Sequence, residues 1–193
     1  MTARDGMTNI IATLRAWTEA GTADYSVAGT TYWDNDQLQD TLDRYRTDIH
    51  RESLASEYEY SDGEIIYRNY YAPARYYEEA ASGSDMWRIE DAAGSALGTA
   101  TYTVNYHAGH IRFTADTGGS ARYLVARAYD LPRAAADVWR RKAAHVAGRY
   151  DWSTDNHAMK PSQLKAHYMD MARYYDGQAQ TQHVRLERSD VND

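Results

Sequence analysis

Residues 130–176, DLPRAAADVWRRKAAHVAGRYDWSTDNHAMKPSQLKAHYMDMARYYD, read as two helices joined by a polar turn, and the rest of the chain takes its place around them. Leu131, Ala135, Val138, Trp139, Ala143, Val146 and Tyr150 recur at the three-and-four spacing that puts side chains on one helix face. Asp130 is the N-cap of this helix, and Pro132 sits in the first turn, where a missing N–H costs nothing. The run Ala134 to Ala136 keeps those turns thin enough for another backbone to approach, and Trp139 then fills a larger gap and is expected to be buried. Residues 151–161 are too polar and broken to continue the helix. Ser162 offers a second N-cap, Leu164, Tyr168, Met171 and Tyr175 form a second stripe, and Asp176-Gly177 closes it.

Working outward, Ile10, Ile11, Leu14 and Trp17 predict a short helix over 8–20, closed by Gly21. Asp34 with Gln37 three residues on makes a capping box, and Trp33 with Leu38 a hydrophobic staple, opening a helix expected to run over 34–53. Leu38, Leu42, Tyr45 and Ile49 would be its buried face, with Asp36, Asp40, Asp43 and Asp48 on an acidic outer face. The acids of residues 57–64 read as a solvated loop entering a strand. From Glu64 the period switches to two: Ile65 to Tyr71, Trp87 and Ile89, Tyr102 to Tyr106, Ile111 with Phe113, and Tyr123 with Val125, separated by turn chemistry.

The expected fold is therefore α+β, a helical bundle with an inserted small antiparallel β subdomain and an extended C-terminal tail. Residues 1–63 are assigned to the N-terminal helices, 64–129 to the β insertion, 130–176 to the C-terminal helices, and the polar residues 177–193 to an arm.

Eighteen Tyr and five Trp stand against one Phe and no Cys among 193 residues, so apolar bulk comes mainly from rings with a polar tip, which favour interfaces. Without Cys there is no disulfide scaffold or thiolate metal site, no apolar run reaches the ~20 residues of a membrane span, and no signal-peptide pattern opens the chain. The net charge of −7 is uneven: residues 1–96 hold eighteen acids and eight bases, residues 97–193 ten acids and thirteen bases. That asymmetry suits subunits meeting head to tail. Eighteen Arg to three Lys favours planar, bidentate contacts over simple solubilising charge.

Each candidate for chemistry has a simpler reading. His107 and His110 flank a glycine turn without a third ligand, and His145 has no Ser or Cys nucleophile paired with it in the sequence. Gly118-Gly119 lacks the Lys and helix start of a phosphate loop. Arg133, Arg140, Arg141 and Lys142 give the first long helix a basic flank, better matched to an acidic protein neighbour than to nucleic acid because the chain is acidic overall. No catalytic residue, cofactor or metal is expected.

The segments IIATLRAWT, YWDNDQLQDTLDRYR, YTVNYHAGHIRF, YLVARAYDLPRAAADVWRRKAAHVAGRYDW and QLKAHYMDMARYY cover most of residues 8–176, and in order and spacing they resemble the head-to-tail adaptor (connector, head-completion) proteins of tailed bacteriophages. The resemblance implies a structural virion protein of the neck. It would form a ring, commonly twelve-fold, beneath the portal protein, extend the channel for genomic DNA and offer a docking surface to the next neck, stopper or tail protein. On that view Arg133, Arg140 and Arg141 are inter-subunit candidates, and Asp36, Asp40, Asp43 and Asp48 are a candidate channel face. Gln182, Val184, Arg185, Leu186 and Arg188 belong to a portal-binding arm, their alternation suiting a strand added to a sheet edge. The other class of reading is a ligand-binding β module or small hydrolase using the Tyr-rich middle.

Overall fold

A computed structural model describes residues 3–81, 86–149, 151–154 and 157–179, the backbone alone for 152–154 and 157–159. The fold is α+β. In chain order it runs α1 (Thr8–Thr18), β1 (Tyr25–Val27), β2 (Thr30–Tyr32), α2 (Asn35–Asp43), β3 (Arg46–Ser53), β4 (Ala55–Ser61), β5 (Glu64–Tyr71), β6 (Trp87–Glu90), β7 (Tyr102–Asn105), β8 (His110–Phe113), β9 (Tyr123–Tyr129), α3 (Leu131–Val146), β10 (Trp152–Thr154), β11 (His157–Met159) and α4 (Pro161–Asp176).

The helices share one core. Ile10, Ile11 and Leu14 of α1, Leu38 and Leu42 of α2, and Leu131, Ala134, Ala135, Val138 and Trp139 of α3 are all buried in it, with Ala172 and Tyr175 of α4. Trp139 is 1% exposed. α3 starts where its sequence indicates, with Asp130 Oδ1 accepting from the Arg133 N–H at 3.1 Å. The capping box of α2 is complete, Gln37 N–H to Asp34 Oδ1 at 2.8 Å and Asp34 N–H to Gln37 Oε1 at 3.0 Å, and Trp33 and Leu38 are both fully buried. Two helix ends differ from expectation. α1 closes on Glu19 in the left-handed region (φ 50°) rather than at Gly21. α4 starts at Pro161, with Ser162 inside it, because Asp151 reaches across to accept from both the Ser162 N–H (2.9 Å) and its hydroxyl. A distant carboxylate thus does the work of the local cap.

The largest correction concerns residues 34–63. The helix predicted over 34–53 stops at Asp43, and residues 46–53 form β3, which pairs antiparallel with β9 in a sheet of order β3-β9-β6. Ile49 is buried, as expected, but from a strand. The segment read as a loop at 57–64 is β4 and the start of β5, joined by Asp62-Gly63, both at positive φ (52° and 86°), a two-residue hairpin turn matched to strand twist. β4 and β5 belong to a second sheet of order β4-β5-β8-β7. The inserted β unit therefore spans 46–129, not 64–129, and a small hairpin, β1-β2, precedes α2. The two larger sheets share a second core, with Ile49, Ile89, Leu124 and Ala126 from one and Tyr70, Tyr102, Ile111 and Phe113 from the other.

An ionic knot joins the two cores. Arg4 forks onto both oxygens of Asp43 (2.9 and 2.7 Å), donates Nε to Glu78 at 3.2 Å and Nη2 to the Tyr129 hydroxyl at 2.9 Å, and that hydroxyl donates to Glu78 Oε2 at 2.7 Å. Burial, followed by Glu78, holds the Tyr129 hydroxyl far above its ordinary range and so protonated, as its donor role requires. Next to the knot, Glu79 N–H bonds the Gly6 carbonyl at 3.0 Å, and a Cβ on Gly6 would collide with the Glu79 carbonyl oxygen.

Candidate functional site

Two surface features stand out from this frame. The first is the β4-β5 hairpin. β8 pairs with β5 only at Asn69, Tyr70 and Tyr71, and the 116–119 turn holds Tyr67, whose N–H donates to Asp116 Oδ1 at 2.8 Å and whose carbonyl accepts from the Thr117 N–H at 3.0 Å, so among the described residues only the hairpin beyond Tyr67 has no strand beside β5. Strand alternation and the register Tyr58↔Tyr67 and Tyr60↔Ile65 put four large side chains on one face. Tyr58 (55%), Tyr60 (71%) and Ile65 (51%) are exposed, and Tyr58 meets Tyr60 edge-on with centroids 5.7 Å apart. The base of the arm is held by Glu59, which Arg112 grips at 3.1 Å, and by the Tyr71 hydroxyl donating to Glu57 at 2.7 Å. Asp62 and Glu64 make its tip acidic.

The second is a hollow of about 140 Å³ where the end of α3 meets the start of α4, lined by Asp24, Tyr25, Lys142, His145, Val146, Arg149, Leu164 and Tyr168. Lys142 is buried: its Nζ lies 2.5 Å from Asp24 Oδ2, donates to the Glu19 carbonyl at 3.0 Å and sits 5.2 Å over the Trp139 ring. It thereby ties the end of α1 to α3 with a cation where the helix dipole is negative. His145 stacks on Tyr25 (centroids 4.0 Å apart, 15° between planes) and faces Arg149 Nη2 at 2.8 Å. Burial, and next the Arg149 charge, lower the His145 pKa, so its Nε2 accepts from the guanidinium. Burial pushes the Tyr25 hydroxyl up to about 12.

The residues singled out from sequence fall in three groups. Arg133, Arg140 and Arg141 do not form a free basic flank: Arg133 pairs with Asp130 (3.4 Å), Arg140 with Asp176, and Arg141 with Asp137 (3.1 Å) while lying 5.6 Å over the Trp33 ring. Asp36, Asp40, Asp43 and Asp48 do not share one helix face either. Asp36, Asp40 and Asp43 are on α2 at four- and three-residue spacing, with Asp43 clasped by Arg4, but Asp48 is on β3 beside Arg46 (3.0 Å) and Arg127 (3.6 Å). Gln182, Val184, Arg185, Leu186 and Arg188 lie outside the described residues.

His107 and His110 part company in the structure: His107 meets Tyr76 edge-on at 4.5 Å, and His110 Nε2 is 3.2 Å from Asn69 Oδ1. Among the described residues no group of three or more His, Asp or Glu is arranged to hold a metal ion, and no helix is long and apolar enough to cross a membrane. A groove of about 440 Å³ between α1 and β7, lined by Thr13, Tyr76, Glu79, Asn105, Tyr106 and His107 among others, and one of about 520 Å³ lined by Tyr71, Pro73, Arg75 and Tyr76 among others, are places where a ligand-binding reading could act. Sequence reasoning missed the hairpin arm although the Asp62-Gly63 pair marks it. It had no signal for the hollow, which the α3-α4 packing creates. No protein-family model, curated protein or solved structure matches this chain.

Proposed function

We propose that this chain is a structural, non-catalytic head-to-tail adaptor of a tailed bacteriophage. Copies form a ring, twelve-fold in the reading taken from the resemblance, beneath the portal protein. The ring extends the channel for genomic DNA and presents a docking surface to the next neck or tail component, in the virion and without metal or cofactor. The observation that carries this reading is the hairpin arm: a rigidly based β-ribbon that leaves Tyr58, Tyr60 and Ile65 in solvent is built to be covered by protein. The order of helices and strands that resembles adaptors supplies the kind of assembly. Acids of the 34–64 region, Asp40 of α2 among them, face the channel in this proposal, where like charge keeps passing DNA from adhering. Residues 177–193 grip the portal, each copy weakly because ordering an arm costs ~1–2 kcal/mol per residue, and the ring by avidity.

The experiment is electron microscopy of the full chain mixed with the portal assembly of the same phage genome, where one is found. Rings stacked on the portal are expected, and a chain truncated after Asp176 should keep its helicity while docking falls sharply. A monomer that ignores the portal, or a ring with arginines rather than acids lining its lumen, would overturn the corresponding part. The ligand-binding alternative predicts instead stabilisation by a small molecule at the 440 Å³ groove with no protein partner present.

A further inference from the structure

The arm and the hollow are complementary in size, polarity and charge. We infer that the tip of the β4-β5 hairpin of one copy, led by Tyr60, seats in the α3-α4 hollow of the next, an inference that rests on reading the chain as a ring subunit and names the contact that would join the ring.

Tyr60 is the most exposed large apolar residue on the described surface, and its neighbours Tyr58 and Ile65 extend the same face. The hollow, at about 140 Å³ and walled by Tyr25, Val146, Leu164 and Tyr168, is of the size that takes one aromatic ring, since apolar cavities of ~150 Å³ accept benzene. Leu164 is 41% exposed at its rim, an apolar residue left partly uncovered among the described residues. The ring that enters would lie beside His145 and Arg149, whose planar groups stack on aromatic faces.

Charge sets the direction. The hairpin tip carries Asp62 in the turn and Glu64 directly after it, whereas the hollow is edged by Arg149, with exposed Lys160 and Lys165 bracketing Leu164 in the chain. Lys142, the remaining cation there, is already held by Asp24 and stays structural. Two hairpins meeting tip to tip would set Asp62 and Glu64 against their own copies, so the isologous pairing is disfavoured. A knob and a socket at different places on one chain make a heterologous contact, the kind that closes into rings.

The absence of native cysteine makes the test direct. Tyr60→Cys and Leu164→Cys, both at exposed positions, are combined in the full chain, and the concentrated protein is mildly oxidised, run on a non-reducing gel and imaged by electron microscopy. The expected result is a ladder of covalent oligomers, absent from a control pair of Tyr60→Cys with Ala16→Cys, and suppressed when Asp62→Lys and Glu64→Lys are added. Rings without 60–164 cross-links would overturn this contact and leave the ring reading standing. Cross-linked chains that never close would keep the contact and overturn the ring. Neither rings nor cross-links would overturn both.

Discussion

Trp139 on α3 and Tyr60 on β4 are both aromatic residues in regular elements, yet the first is 1% exposed and the second 71%. The difference lies in what each element packs against. α3 has helices on its flanks and closes a core to which α1, α2 and α4 all contribute, so Leu131, Ala135, Val138, Trp139, Ala143 and Val146 of its stripe are all buried, while Tyr150 lies outside the described residues. The hairpin leaves the second sheet beyond Asn69, is held once more where Tyr67 bonds Asp116 and Thr117, and from there to its tip its two strands pair with each other. The helical layer uses its rings for stability, and in the assembly proposed above the arm keeps its rings for an encounter.

Perturbations of decreasing size test that contrast. Trp139→Ala should cost about 3–5 kcal/mol, because it empties the centre of the helical core, and chemical denaturation should register it as a large fall in midpoint. An unchanged midpoint would mean that the helices do not depend on this core. Arg4→Met should cost about 2–3 kcal/mol, below the usual toll for breaking a buried pair, because Arg4 is about a third exposed while Glu78, at 3%, loses its closest cation. Since Arg4 links the two cores, its loss should also separate their unfolding by near-ultraviolet and far-ultraviolet circular dichroism. Tyr60→Ser should change the stability of the isolated chain by less than about 0.5 kcal/mol. A larger loss would show that the arm packs on its own chain.

The smallest effect is a pH dependence. His145 has a folded pKa below the ordinary 6.5, so the fold binds fewer protons there than the unfolded chain does. Its contribution is therefore fully present above that ordinary value and is lost as pH falls through it toward the folded pKa. Melting temperatures followed from about pH 7.5 to about pH 5.5 should drop less for His145→Gln than for the parent. Parallel curves would remove His145 from the account.

The same contrast explains what was legible in the sequence. α1, α3 and α4 declare themselves through their stripes, α3 also through its Asp130 cap, and α2 through Asp34 and Gln37, because helical signals are local. Five strands, β5 to β9, are legible from alternation. β3 is not: of its eight residues only Ile49 is buried, and Tyr45 and Ile49 happen to continue the three-and-four spacing of α2. What makes 46–53 a strand is the distant edge of β9, which no local pattern encodes. β4 hides for a different reason, since its tyrosines and glutamates are exposed alike and only the Asp62-Gly63 turn betrays the hairpin. The basic flank and the acidic face both dissolved for one cause: Arg133, Arg140, Arg141, Asp43 and Asp48 have charged partners within the chain.

The knot at Arg4 has a consequence in time. Its partners Asp43, Glu78 and Tyr129 lie 39, 74 and 125 residues further along the chain, and α1 must find α3 across the whole β insertion. On the ribosome, at ~5–20 residues per second, roughly 6–25 s separate the emergence of α1 from that of the helix that covers it. Through that interval Ile10, Ile11 and Leu14 have no core to enter, while the strands that follow can already pair with one another. The β unit is therefore the first part of the nascent chain able to fold to completion, the Arg4 knot can form as soon as Tyr129 emerges, and the bundle closes last, when α3 and α4 arrive.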